Sequence, residues 1–394
     1  MKFAQEVEKE LYNILSYWER QTIDHQYGGF VGRRDQNDLL VPYAPKGSVL
    51  NSRILWTFSA AYAYTGNPVH RELAERAFHY IKKFFFDEKF GGVYWSVDFK
   101  GHPLDTKKQT YALSFAIYGL SEYYKISADQ KALDLAIDLF EDIEKHSFDN
   151  ENSGYLEAFS RDWQEITDIR LSVKDANEKK TMNTHLHVIE AYTNLYRVWQ
   201  NSKLESQIKN LLSDFKNHII NAETKHLILF MDEFWASKET IYSYGHDIEA
   251  SWLLLEAAEV INDKSLIKSF KKIAVNLADA ALEGIDSDRA LSYENNLSKL
   301  HCIKEKHWWV QAEAMVGFMN AWEISKQAEY LEIAKKLWEF IDTYLIDHKK
   351  GEWLWGRSSD LSLMENEDKV GLWKCPYHNT RACLEIIRRI KDPK

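Results

Sequence analysis

Cysteine is scarce in this chain: Cys302, Cys375 and Cys383 are the three among 394 residues. An odd number without the short paired spacings of metal sites argues against a disulfide framework and reads as reduced, cytosolic thiols. Long apolar runs are missing as well. No stretch approaches the ~20 apolar residues a membrane span needs, and residues 1–20 are charged and amphipathic where a secretion signal carries an apolar core. Positive charge is in deficit: 50 Lys and Arg stand against 60 Asp and Glu, a formal net charge of −10. That balance argues against nucleic acid or an anionic membrane as the main partner. With 6 Pro and 16 Gly, the chain has no Pro-, Gly- or Ser-rich linker and no low-complexity tract. The expectation is one cytoplasmic domain over 1–394, a monomer or weak homo-oligomer whose partner is a small molecule.

What is present is ample core material. Hydrophobic residues make up 45% and charged residues 28%, and the 14% aromatic share includes 14 Trp, enough rings to fill a core or to line a site for sugar faces. Single cores become uncommon beyond about 250–300 residues unless the chain repeats. This one repeats. Tyr27-Gly28-Gly29-Phe30 is a glycine–aromatic turn, and Phe90-Gly91-Gly92-Val93-Tyr94-Trp95, Ser153-Gly154-Tyr155 and Gly351-Glu352-Trp353-Leu354-Trp355 echo it. After each turn region comes a helix apolar on most faces, then an amphipathic one, with a period of roughly 60–75 residues.

The spacing predicts apolar helices over 51–64, 109–124, 184–199, 246–260, 307–324 and 378–390. Amphipathic partners are predicted over 72–86, 130–145, 204–220, 265–282 and 329–346. The N-terminal helix, over 3–22, is free to serve as the sixth partner. A terminal helix that completes the last pair implies closure into a ring, which avoids capped ends. The fold class is therefore all-α: an (α/α)6 barrel of six inner and six outer helices, with short β-containing loops at one mouth. Lys107-Lys108 and Lys335-Lys336 read as solvated helix faces.

In such a barrel the first turns of the inner helices meet at one end. There the chain places Arg53, Tyr111, His187 with Glu190, His246 with Glu249, Trp308 and Trp309 with Glu313, and His378 with Arg381. His246 and Glu249 are three apart and so share a helix face. One such pair is ordinary on a solvated first turn, where Glu also complements the helix dipole. Six polar or aromatic helix starts together point to a site. Three His could supply a zinc site, but the His-x-x-Glu order reverses that of di-iron bundles and their paired Glu ligands are not evident. Paired carboxylates with Trp would suit a glycoside hydrolase, but His is a poor match for protonating a glycosidic oxygen. A sugar-binding protein without chemistry would keep the Trp residues and need none of the three His. Three His, an Arg and stacking Trp suit proton movement on the carbon beside a carbonyl, which needs bases with pKa near neutral and a cation for the enediolate oxygen.

At these residues the chain resembles the N-acylglucosamine 2-epimerase superfamily, most of all its cellobiose 2-epimerase branch. The matching stretches are Lys46-Gly47 with Asn51-Ser52-Arg53-Ile54-Leu55-Trp56, Met182 to Tyr192, Ser243 to Trp252, Trp308 to Ala314, and Trp373 to Asn379. The resemblance implies a cofactor-independent isomerase that converts cellobiose to glucosyl-mannose through a cis-enediolate, and the reversed His-x-x-Glu order with its missing ligand set gives the expectation of no metal. The alternative is a mannose 2-epimerase or aldose–ketose isomerase with the same histidines. It further implies that His246 and His378 flank C2, that Glu249 assists His246, and that Arg53 holds the O1/O2 side. His187 is taken to help ring opening; His185 competes with it for that place, and Glu190 at i+3 favours His187. Trp309 and Trp373 are expected to pack on sugar faces, with Tyr111, Asn183, Trp308 and Glu313 also binding substrate. The stretch 284–306, around Tyr293-Glu294-Asn295-Asn296, carries no pattern that settles contacts to a second sugar.

Overall fold

Two kinds of helix alternate along the chain, and the difference in their buried faces sorts them into two rings. The computed structural model describes residues 2–296 and 301–391. In chain order the helices are α1 (Lys2–Gln21), α2 (Ser48–Thr65), α3 (Pro68–Phe84), α4 (Thr110–Ser127), α5 (Gln130–His146) and α6 (Met182–Tyr196). They continue with α7 (Ser202–Asp214), α8 (Tyr244–Val260), α9 (Lys264–Leu282), α10 (Trp308–Ser325), α11 (Ala328–Phe340) and α12 (Tyr377–Lys391). Both α7 and α11 run on into a π-helical turn, Phe215–Ile219 and Ile341–Leu345. The even-numbered helices form the inner ring. In α4 all residues from Thr110 to Ser121 are buried, whereas α5 buries a stripe: Ala132, Leu135, Ala136, Leu139, Phe140 and Ile143.

The inner ring closes. α2 packs on α4, α4 on α6, α6 on α8, α8 on α10, α10 on α12, and α12 back on α2. α1 packs on α12 and so completes the sixth pair. The chain is an (α/α)6 barrel, as expected from its period. Close approach within the ring needs glycine in places: a Cβ at Gly119 would lie 2.6 Å from the Ser52 carbonyl oxygen, and one at Gly317 equally 2.6 Å from that of Ile248. Four of the five inner-to-outer turns are set by a side-chain cap; Gln327 before α11 makes none. Asn67, Asp129, Asn201 and Asp263 accept from backbone N–H groups in the first turns of α3, α5, α7 and α9.

The other end of five of the six inner helices, all but α12, is fixed by a short strand. Lys46–Gly47, Lys108–Gln109, Lys180–Thr181, Ile241–Ser243 and Lys306–His307 lead directly into α2, α4, α6, α8 and α10. Each pairs antiparallel with a strand from the following loop. The loops thus clasp one another around the mouth and hold the first turns in place.

Lys108 corrects the expectation of a solvated helix face. It lies on one of these strands, fully buried, with Nζ 3.0 Å from Asp87. The strand turns the side chain under the glycine–aromatic turn, where Asp87 opens the loop. Lys46 on Asp24 (2.7 Å) and Lys180 on Asp149 (2.9 Å) repeat the arrangement. Lys335 is indeed on an exposed helix face beside Glu332.

Candidate active site

The clasped first turns surround a cavity of about 370 Å³. Arg53 reaches it from α2, Tyr111 from α4, Asn183 and His187 from α6, His246 and Glu249 from α8, Trp308 and Trp309 from α10, and His378 from α12. Trp373 joins them from the loop before α12. Glu313 is placed behind this wall. Its Oε1 accepts from His378 Nδ1 at 2.7 Å, and its Oε2 accepts from Trp252 Nε1 at 3.1 Å.

Each of the three histidines that inner helices send into the cavity has its Nδ1 committed to a partner, and the partners differ. His187 Nδ1 lies 2.8 Å from Glu190 Oε2, His378 Nδ1 is on Glu313, and His246 Nδ1 lies 2.7 Å from the Ser243 hydroxyl. An ionised carboxylate only accepts, so it fixes a neutral imidazole as the Nδ1–H tautomer with the Nε2 lone pair free; a hydroxyl permits either tautomer. The Trp309 ring packs on both His246 and His378, its centre 4.8 Å from that of His246 and 5.8 Å from that of His378. His185 is not in this set. Its Nδ1 is 2.6 Å from the Thr181 carbonyl, its Nε2 accepts from the Tyr155 N–H at 2.9 Å, and its ring packs on Trp235. The choice between the two histidines thus falls to His187.

The electrostatics depart from the sequence reading in one respect. Bases near neutral pKa were expected, but burial pushes both His246 and His378 down to about 3. A dry cavity disfavours the imidazolium more than Glu313 favours it. Behind the wall, burial would raise Glu190, yet Arg381 beside it pulls it down to about 2. Glu249 goes the other way, raised by burial and by the charge of Glu313, which itself is lowered by Arg381 and His378 against burial. Of the neighbouring pair, Glu249 is the one pushed up and Glu313 the one held down.

Arg53 is the site's uncompensated cation. Its Nη2 donates to the Tyr111 hydroxyl at 2.7 Å, its Nη1 meets Cys375 Sγ at 3.7 Å, and its guanidinium lies 4.1 Å from the centre of the Phe115 ring. Among the described residues no carboxylate pairs with it, and its buried Nε has no partner. An anion formed in the cavity would supply the missing charge. Glu249, Glu313 and His378 offer ligand atoms within 4.8 Å of one another. The facing Oε1 atoms of both carboxylates are already taken by Arg381 Nη2, at 2.7 and 2.6 Å.

Several contributors were not assigned from sequence. Arg381 has no role in the sequence reading, and Trp252 and Tyr377 fall in matching stretches without one, although the Tyr377 hydroxyl donates to Glu190. Leu171 to Asp175, Tyr293, Trp355 and Glu367 complete the cavity wall from loops, and His307 from the short strand before α10. Of the stretch left open at 284–306, residues 297–300 lie outside the described residues.

This geometry belongs to a known class. Residues 28–382 match the family of N-acylglucosamine 2-epimerase (GlcNAc 2-epimerase). The chain belongs to that family and is a carbohydrate epimerase, an isomerase. It is 51% identical to the cellobiose 2-epimerase of Bacteroides fragilis, over 97% of this chain and 98% of that one. It is 42% identical to the cellobiose 2-epimerase of Ruminococcus albus, over 98% and 99%. The structure of the cellobiose 2-epimerase from Bacillus thermoamylovorans superposes with a TM-score of 0.93 at 39% identity, covering 98% of this chain and 99% of that one.

Proposed function

We propose that this enzyme inverts C2 of the reducing-end sugar in a β-1,4-linked disaccharide, converting cellobiose to glucosyl-mannose. One observation carries the chemistry: two neutral histidines, His246 and His378, both pack on Trp309 in a cavity whose buried cation, Arg53, lacks an anionic partner among the described residues. The relatives carry the substrate, since those at 51% and 42% identity are cellobiose 2-epimerases. Loop residues such as Asp175 and Tyr293 extend the wall past the helix starts, leaving room beyond the reacting ring.

The reaction begins with ring opening, in which His187 moves a proton between the ring oxygen and O1. One of the flanking histidines then takes the C2 proton through Nε2. The C–H electron pair becomes the C1–C2 double bond, and negative charge develops on O1, where Arg53 N–H groups stabilise it. Glu313 stabilises the imidazolium if His378 is the base. Rotation about C2–C3 presents the other face of the cis-enediolate to the second histidine. Return of a proton to C2 from that side restores the aldehyde, and the ring closes as the epimer. No step consumes an oxidant or a metal-bound water. We take the chain as one domain over 1–394 acting on a soluble sugar in the cytoplasm.

Separate incubations with cellobiose, lactose and mannose, read by NMR, test this assignment. The expected products are the C2 epimers of both disaccharides. Turnover confined to mannose, or a ketose as the main product, would select the monosaccharide reading instead.

A further inference from the structure

Arg381 is the one cation that touches three carboxylates at the heart of this barrel. It is buried on α12; its Nη2 donates to Glu249 Oε1 at 2.7 Å and Glu313 Oε1 at 2.6 Å, and its Nη1 donates to Glu190 Oε1 and meets the Tyr377 hydroxyl. Its guanidinium lies 4.7 Å from the centre of the Trp252 ring. Each carboxylate has an errand at the cavity: Glu190 holds His187, Glu313 holds His378, and Glu249 is itself in the wall. Arg381 is absent from that wall. We propose that Arg381 is a positioning residue that locks these three carboxylates into one arrangement and one charge state, and through them sets the tautomers of His187 and His378.

The proposal rests on the reading of those histidines as proton carriers. Its physical basis is repulsion. Three carboxylates converging in a dry interior cannot all stay ionised without a cation among them. A protonated Glu313 or Glu190 would lose acceptor capacity toward its histidine, whose Nδ1–H tautomer would no longer be enforced. Every other inner helix contributes to this field: Arg53 from α2, Tyr118 from α4, Glu190 and His187 from α6, Glu249 from α8 and Glu313 from α10, with Tyr377 and His378 on α12 itself. The directions agree with the proposal: Arg381 lowers both Glu190 and Glu313, while burial and the charge of Glu313 raise Glu249.

A second feature makes the idea testable. At the opposite end of the barrel lies a cavity of about 650 Å³, and Arg381 and Glu190 are part of its wall. Arg381 therefore borders a space on the side away from the sugar cavity. Arg381→Ala should lower kcat about 10²-fold, within the range for losing a proton carrier's support, with KM changed much less. It should also move the acid limb of the kcat/KM profile to higher pH, because carboxylates freed of their cation bind protons more tightly. Guanidinium ion at millimolar concentration should enter from the rear and restore kcat at least tenfold, while urea, neutral and of similar shape, should not. Should Arg381→Ala fail to fold, Arg381→Lys keeps the charge but cannot span three carboxylates. It should show a lower kcat with the acid limb in place. A folded Arg381→Ala or Arg381→Lys with wild-type kcat overturns the proposal. So does an inactive Arg381→Ala that guanidinium leaves inactive and whose acid limb has not moved. A wild-type enzyme that turns over no sugar would instead overturn the functional reading on which the proposal rests.

Discussion

His246 and His378 share their burial but not their partners, and the difference bears on what each can do. The carboxylate of Glu313 holds His378 as a base with Nε2 free, while the Ser243 hydroxyl leaves His246 able to present either a lone pair or an N–H. Burial pushes both down to about 3, so both are neutral at physiological pH. Protons bind these imidazoles only as pH falls toward 3, whereas an unburied histidine would titrate near about 6.5. The kcat/KM profile should therefore show no titration near about 6.5 and should keep its plateau down to about pH 5. A limb centred near about 6.5 would contradict this. Metal enters at the same scale. Because Arg381 occupies the facing oxygens of Glu249 and Glu313, exhaustive chelation should leave activity unchanged. A chelated enzyme revived only by zinc or manganese would reverse that view.

Among the elements, the helices were legible in the sequence and the strands that start them were not. An apolar run with helical period identifies α4 or α10 within a turn of its ends, because tertiary packing and local propensity agree there. Two-residue strands have no period to read. Lys107-Lys108 therefore looked like an exposed helix face, although Lys108 is buried against Asp87, which also accepts from Arg161 at 2.8 Å. The signal lay in distance along the chain: a lysine just before an inner helix, matched to an aspartate opening the preceding glycine–aromatic turn. This pairing yields a stability prediction. Asp87→Ala would leave Lys108 buried without its counter-ion, a change that typically costs about 3–5 kcal/mol. Urea unfolding of the variant should show that loss, and a cost under about 1 kcal/mol would mean that solvent reaches Lys108 freely.

At the scale of the whole molecule, the sequence predicts the ring but not the loops that roof its mouth. Counting six apolar helices and five partners was enough to assign α1 to the closing position, where it now packs on α12. Arg53, His246 and His378 could be placed because inner helices run the same way and share one end. Asp175, Tyr293 and Trp355 could not, since irregular loops carry no periodicity that says where they cross. Closure itself is testable. α1 buries Val7, Leu11, Ile14, Leu15, Tyr17 and Trp18, each side chain contributing about 1.5–3 kcal/mol. Trp353 Nε1 also donates to Glu10 at 2.9 Å across the joint. The sum rivals a typical total stability of about 5–15 kcal/mol. Deleting residues 2–21 should abolish cooperative thermal unfolding, and a folded, active truncation would show that the ring stands without its twelfth helix.

The most direct test of the two-histidine account is turnover of cellobiose in D2O by the wild type and by His246→Asn and His378→Asn, with deuterium at C2 followed by NMR. The wild type should place solvent deuterium at C2 of the epimer, because a histidine bearing the abstracted proton exchanges it. Each variant should lose about 10²–10⁴-fold in epimerisation, and one should still wash deuterium into C2 of unreacted cellobiose. The double variant should fall little below the worse single one, as for groups that act in series. Near-normal epimerisation by both variants, or epimer formed without deuterium, would contradict the account.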